Sequence, residues 1–173
     1  IGVLYDWDET RGAPEGVRLQ VFSNYNRSYE PPTFSELTNP AGDFRPNKGQ
    51  VSDTWEAGTR GEAGRFTWDT TFYRSSLDNE LLSINDPAGN ALGTLNAPSE
   101  TIHQGIELGA GVRILENLIA RGADGAEDNV IFRTLYNWSD FRFDEAPTYG
   151  DNRLPSFPEH FFKAELLYNH PSG

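Results

Sequence analysis

A chain of 173 residues with a net charge of −12, 36% hydrophobic residues, 23% charged residues and no cysteine has the material for a single domain or a small fold of two halves. Without cysteine there are no disulfides, thiol catalysis or thiolate metal sites, and an acidic chain with no basic stripe would be repelled by duplex nucleic acid. No run approaches the roughly 18 uninterrupted apolar residues of a spanning helix, but a strand crosses a bilayer with only about 9–11 alternating residues.

Seven strands are expected in chain order. The first is Ile1 to Trp7, only half patterned. The second, Val17 to Ser28, sets Val17, Leu19, Val21 and Tyr25 against Arg18, Gln20, Asn24 and Asn26, with Phe22 breaking the polar side. Tyr29 to Gly49 follows as a loop punctuated by Pro31-Pro32 and Asn39-Pro40. Proline supplies no ladder donor, and a loop beyond about 12–15 residues is unusual in a compact domain. Strand three, Gln50 to Arg60, leads into an expected tight turn at Gly61 to Gly64. Strand four starts at Arg65, with Phe66, Trp68, Thr70 and Phe72 alternating against Thr67, Asp69, Thr71 and Tyr73, and frays through Leu77 to Ile84. Asn85 to Asn90 reads as a turn.

Strand five, Thr101 to Leu115, separates best: Ile106, Leu108, Ala110, Val112 and Ile114 oppose His103, Glu107 and Arg113. Glu116 to Asn129 reads as an acidic connection whose opening stretch, Glu116 to Ala120, could form a helical turn. Strand six is Val130 to Phe141, Phe143 to Pro158 is a second proline-rich loop, and strand seven is Phe161 to Tyr168. The chain opens on Ile1, contains no methionine, and ends in a turn at Asn169 to Gly173. It is therefore not expected to be a complete translation product, and strands are expected to be missing at both ends.

Alternation alone fits two architectures. In a soluble sandwich the apolar faces pack together; in a membrane barrel they meet lipid and the polar faces line a lumen. Trp7, Tyr25, Trp55, Trp68, Trp138 and Tyr168 fall on strands, several near their ends, where amphipathic rings suit the headgroup level. The polar face carries Arg18, Glu56, Arg60, Asp69, Arg113, Arg133, Lys163 and Glu165, which a wet interior keeps hydrated or paired. The membrane reading makes Val21, Phe66, Trp68, Phe72, Leu108, Val112, Phe132, Phe162 and Leu166 the lipid-facing set. A soluble β-sandwich binding module is the alternative.

Several stretches together carry a family resemblance. Asn24-Tyr25-Asn26-Arg27-Ser28-Tyr29-Glu30-Pro31-Pro32-Thr33-Phe34-Ser35-Glu36-Leu37 resembles a strand and its loop in TonB-dependent outer-membrane receptors. So do Thr54-Trp55-Glu56-Ala57-Gly58-Thr59-Arg60-Gly61 and Phe66-Thr67-Trp68-Asp69. Asn79-Glu80-Leu81-Leu82, His103-Gln104-Gly105-Ile106-Glu107 and Asp151-Asn152-Arg153-Leu154-Pro155 follow in consistent order. The resemblance implies an all-β, antiparallel transmembrane barrel fragment in a bacterial outer membrane, the carboxyl-terminal portion of a 22-stranded barrel whose plug domain is not in this chain. It implies uptake of a scarce solute, most often a ferric siderophore, powered by the TonB complex through the plug region, with outer-membrane lipid as the other partner.

No catalytic constellation is present and no cofactor is expected. His103, His160 and His170 lack a metal-ligand spacing. Asp6 and Asp8 superficially pair as hydrolytic acids, and Asp124, Glu127 and Asp128 lack the ordered spacing of a calcium loop. Loops on a rigid scaffold commonly bind ligands. Arg27, Tyr29, Arg45, Arg142, Tyr149 and Arg153 are therefore the candidate contacts for an anionic or catechol-like solute, since arginine offers a bidentate fork and tyrosine a flat face with a hydroxyl. The plainer alternative for each is loop anchoring.

Overall fold

The computed structural model describes residues 1–86, 88–121 and 127–171. Asp124 and the last two residues of the terminal turn lie outside these. The described residues form nine strands: β1 (Gly2–Trp7), β2 (Val17–Glu30), β3 (Gln50–Ala63), β4 (Phe66–Asp78), β5 (Leu81–Asn85), β6 (Ala91–Asn96), β7 (Thr101–Arg121), β8 (Glu127–Phe143) and β9 (His160–Asn169). Seven make one antiparallel sheet in the order β1-β2-β3-β4-β7-β8-β9, each paired to its neighbour in that order. β5 and β6 form a separate hairpin inside the β4–β7 connection. The frayed stretch after Leu77 is the entry to that hairpin.

Residues directly opposite in an antiparallel pair share a face, so the register assigns every side chain to one of two surfaces. All nine residues of the expected lipid-facing set lie on one of them. Val21 pairs with Thr59, Thr59 with Thr70, Thr70 with Leu108; Phe66 with Val112, Val112 with Phe132, Phe132 with Leu166. Trp68, Phe72 and Phe162 sit on the same side at even spacing. Away from the loop end nothing in the described chain covers this face: Phe66 is 61% exposed, Phe162 65% and Leu166 65%. A sandwich would have buried it under a second sheet. Leu77, Ile102, Phe143, Ala146 and Leu154 are buried at the end where the long loops emerge, and Ala13 is buried in the β1–β2 connection at the other end.

The opposite face carries the polar set. The clefts of the sheet open on it, one lined chiefly by Thr67, Asp69, Gly109, Gly111, Arg133, Lys163 and Glu165, another by Arg18, Gln20, Arg60, Glu62 and Asp69. Phe22, which interrupts the polar pattern of β2, belongs here. Its ring covers Gly58 on β3, so an aromatic fills the space that a missing side chain leaves. A Cβ on Gly58 would stand 2.4 Å from Thr70 O and 2.5 Å from Phe22 Cζ. Gly109 has open room, its nearest neighbour being Leu135 Cδ2 at 3.6 Å. We expect Gly58→Val to lower the stability of the folded full-length protein by about 1–3 kcal/mol, the usual range for overpacking, and Gly109→Ala to change it much less. Denaturant midpoints of the two variants check this; similar shifts would show that the close approach at Gly58 is not limiting.

Three expectations need correction. β3 continues to Ala63, so the turn is only 64–65, and Gly61 is a strand residue beneath the Trp68 indole. Gly64 has φ 59 and supplies the left-handed conformation that the turn demands. The stretch from Glu116 is not a helical turn. β7 continues through it with register shifts after Arg113 and Glu116, and Asn117 takes φ 55, a conformation that asparagine tolerates. The bulged backbone is held from β8: the buried Asp128 carboxylate accepts the Leu118 N–H at 2.6 Å, the Ile119 N–H at 2.9 Å and the Tyr168 hydroxyl at 2.8 Å. The connection is shorter than expected for that reason, and Asp128 serves as an anchor for the strand end.

Candidate functional site

The connections 31–49, 79–100 and 144–159 all leave one end of the sheet, because β2, β4 and β8 run in the same direction. The short connections 8–16 and 64–65 lie at the other end. In the short β1–β2 connection Asp8 caps a 3-10 turn, accepting the Thr10 hydroxyl and its N–H, which hold the carboxyl below the usual carboxylate range. Asp6 accepts Arg18 and Gln20. Both acids of the superficial hydrolytic pair thus have structural partners.

The long connections are tied into one roof. Asn47 Nδ2 donates to Glu36 O at 2.6 Å and to Thr94 O at 2.8 Å. The Lys48 N–H donates to Asn96 Oδ1 at 2.7 Å, and Asn96 Nδ2 returns a bond to Lys48 O at 3.0 Å. These bonds pin the first loop to the β5–β6 hairpin. The hairpin loop and the last loop then share a small apolar cluster of Phe143, Ala146 and Leu154 with Leu82, Ala97 and Phe141. Under this roof, on the polar face, His103 stacks on Phe141 with ring centroids 4.2 Å apart and lies 3.2 Å from the buried Glu80 carboxylate, which also accepts the Thr101 hydroxyl. Phe157 packs edge-on against Phe141 at 5.0 Å. The arrangement offers stacking surfaces and a carboxylate. It presents no activated nucleophile, and no cluster of metal-ligating side chains occurs among the described residues.

The six candidate contacts do not converge on one point. Tyr149 stacks on Phe143 with centroids 4.9 Å apart. Arg45 is partly buried in the first loop, its N–H bonded to Leu37 O at 2.7 Å. Arg27 and Tyr29 occupy the loop end of β2 on the apolar face, Arg27 at 3.8 Å from Asp53 and the Tyr29 ring against Gly49. Arg142 and Arg153 are brought together by an antiparallel bridge between β8 and the last loop, both on the buried Asp140. Sequence reading gave no site role to Glu80, Asp140 or Phe157. Nothing local marks them, since their roles depend on partners distant in the chain.

The apolar face carries aromatic rings at both margins. Tyr25, Trp55, Phe72 and Trp138 stand towards the loop end; Trp7, Phe66, Trp68 and Tyr168 stand towards the turn end. Tyr25 and Trp55 touch across the strands at 4.7 Å. Between the margins, Val130 to Trp138 in β8 has about the 9–11 residues of a spanning strand. The TonB dependent receptor-like, beta-barrel family matches residues 1–173. The chain belongs to this family. No match is found among curated proteins. TonB-dependent receptors are transporters of the bacterial outer membrane and not enzymes, so the uncovered apolar face is the one that meets lipid and the polar face is the one that lines the barrel. The absence of a long apolar helix among the described residues says nothing against this, since strands do the crossing. The resemblance read from the sequence holds over the whole chain.

Proposed function

We propose that residues 1–173 form a segment of the wall of a closed, 22-stranded receptor barrel, completed by strands and a plug outside this chain, that takes up a ferric siderophore with energy from the TonB complex. The observation that carries this reading is the pairing of an uncovered apolar band, edged by aromatic rings, with a tied roof of three loops at one end only. A sheet open at β1 and β9 leaves two rows of backbone groups unpaired, and in lipid each would cost several kcal/mol, so closure by further strands is required. The roof lies at the extracellular mouth. Arg45 and Tyr149 are the loop residues proposed for solute contact, together with the His103–Phe141–Phe157 patch beneath. Binding measurements on the full-length receptor across ferric siderophores, haem and cobalamin test the cargo; tight binding of haem or cobalamin alone would overturn it.

The orientation has its own test. The chain contains no cysteine, so single cysteines report position cleanly. Ala41 and Ala88 are exposed in the long connections, and Arg65 is exposed in the short turn. With Ala41→Cys or Ala88→Cys, a membrane-impermeant maleimide should label intact cells. With Arg65→Cys, labelling should appear only after the outer membrane is opened. The reverse pattern would invert the barrel and sink the extracellular placement of the roof.

A further inference from the structure

We propose that the outward surface of the loop-end rim is a seat for the phosphate of an outer-leaflet glycolipid headgroup, built by Arg74, Arg142 and Arg153 around Asp140. This rests on the orientation given above. The register puts Arg74 opposite Gln104 and Gln104 opposite Asp140, in one row across β4, β7 and β8. Two residues turnward in the same columns stand Phe72, Ile106 and Trp138, and in the charged row itself stand Tyr25 and Trp55 of the aromatic margin. The charged row therefore lies at that margin, about 7 Å loopward of the Phe72–Trp138 row at about 3.3 Å per residue, at the headgroup level where amphipathic rings sit.

The composition of the row sets its ligand. Asp140, only 1% exposed, is enclosed by its partners: it accepts Gln104 Nε2 at 3.0 Å and pairs with Arg142 and with Arg153 Nε at 3.4 Å. The last loop supplies Arg153 by folding back on β8, with the Phe143 N–H bonded to Asn152 O and the Leu154 N–H to Phe141 O. Arg153 also pairs with Glu159. The guanidinium side chains remain open to the outside, Arg142 at 40% and Arg153 at 47%. Arg74, exposed, donates to the neutral Gln104 Oε1 at 2.6 Å. Arg142 Nε and Asp140 Oδ1 are both buried without a hydrogen-bond partner. Three cations thus face two carboxylates, a local positive surplus on a chain of net charge −12. Such a surplus in hydrocarbon would be costly, and in the headgroup layer it meets anions. Guanidinium forks match phosphate oxygens bidentately.

The test uses the full-length receptor in phosphatidylcholine nanodiscs doped with diphosphorylated lipid A or with the same lipid after dephosphorylation, read by native mass spectrometry. The wild-type receptor should retain the phosphorylated form at least tenfold better. Arg74→Gln, which touches neither Asp140 nor Glu159 and so should fold normally, should lose threefold or more of that retention. The triple variant with Arg142→Gln and Arg153→Gln should lose nearly all of it while keeping the heat-modifiable mobility of a folded barrel. Equal retention of the two lipids, or unchanged retention in Arg74→Gln, overturns the proposal. Equal competition by free inorganic phosphate overturns the lipid assignment, leaving a general anion site. Loss of the seat with correct cysteine labelling fails this proposal alone, whereas inverted labelling fails the orientation beneath it.

Discussion

Val112→Arg is expected to block most membrane insertion of the full-length receptor, while Arg113→Val leaves insertion largely intact. The two residues are neighbours in β7 and point to opposite faces. Val112 sits between Phe66 and Phe132 in the uncovered apolar band. A guanidinium there loses its water shell in lipid, at a cost of roughly 2–4 kcal/mol near the bilayer midplane and less towards the interfaces. Val112 lies on the turn side of the band, so snorkelling offsets some of that cost. Arg113 faces the polar side, where its Nη1 donates to Glu116 Oε1 at 2.8 Å. Glu116 also has Arg65 at 3.4 Å, so removing Arg113 leaves the carboxylate a partner. Pairs of this kind at exposed positions contribute about 0–1 kcal/mol. Heat-modifiable mobility and the membrane-inserted fraction measure the outcome. A worse defect for Arg113→Val would mean that the faces are exchanged, as a one-residue slip in register would do.

Asp128→Ala should be the most damaging small substitution at the turn end. The Asp128 carboxylate is fully buried and serves three donors at once: two consecutive backbone N–H groups of the bulged stretch of β7 and the Tyr168 hydroxyl on β9. Alanine leaves all three without this acceptor. A donor stranded in the interior costs about 1–3 kcal/mol. Leu118 and Ile119 are themselves exposed, so water rescues some of their loss, and a total of about 2–4 kcal/mol is expected from the same range. Tyr168→Phe removes one of the three bonds and should cost about 1 kcal/mol. The double variant should be less than additive, because both substitutions remove the same Asp128–Tyr168 bond. Denaturant unfolding of the folded barrel reads all three. If Asp128→Ala costs no more than Tyr168→Phe, the carboxylate is not what holds the bulge.

The link from residues to function runs through the two faces of the sheet, and those faces were legible. Each strand repeats every two residues, so the alternation of Phe66, Trp68 and Phe72 with Thr67, Asp69 and Thr71 is a local property that any reading of the chain recovers. The seven sheet strands and the nine lipid-facing residues follow from it. So does the division into long and short connections, since proline and glycine act within a few residues. The same locality explains the errors. Gly61 looks like a turn residue because glycine favours turns, and only the Trp68 indole lying over it shows why a strand needs it. Phe22 looks like a fault in the pattern until Gly58 is found beneath it.

By itself the sequence determined the fold class, the strands of the wall, the side that meets lipid and the end that carries the loops, because period, turn chemistry and apolar content are written within a dozen residues. Only the tertiary structure decided which loop residues act together. Arg142 and Arg153 belong to one cluster because the last loop folds back on β8, and Arg74 joins them through two strand pairings across β7. Tyr149 went instead to the inner face, on Phe143, and Asp128 became an anchor because a bulge turned two backbone N–H groups towards it. These outcomes depend on register and loop closure, which join residues far apart in the chain, and no local pattern specifies the partner at the other end.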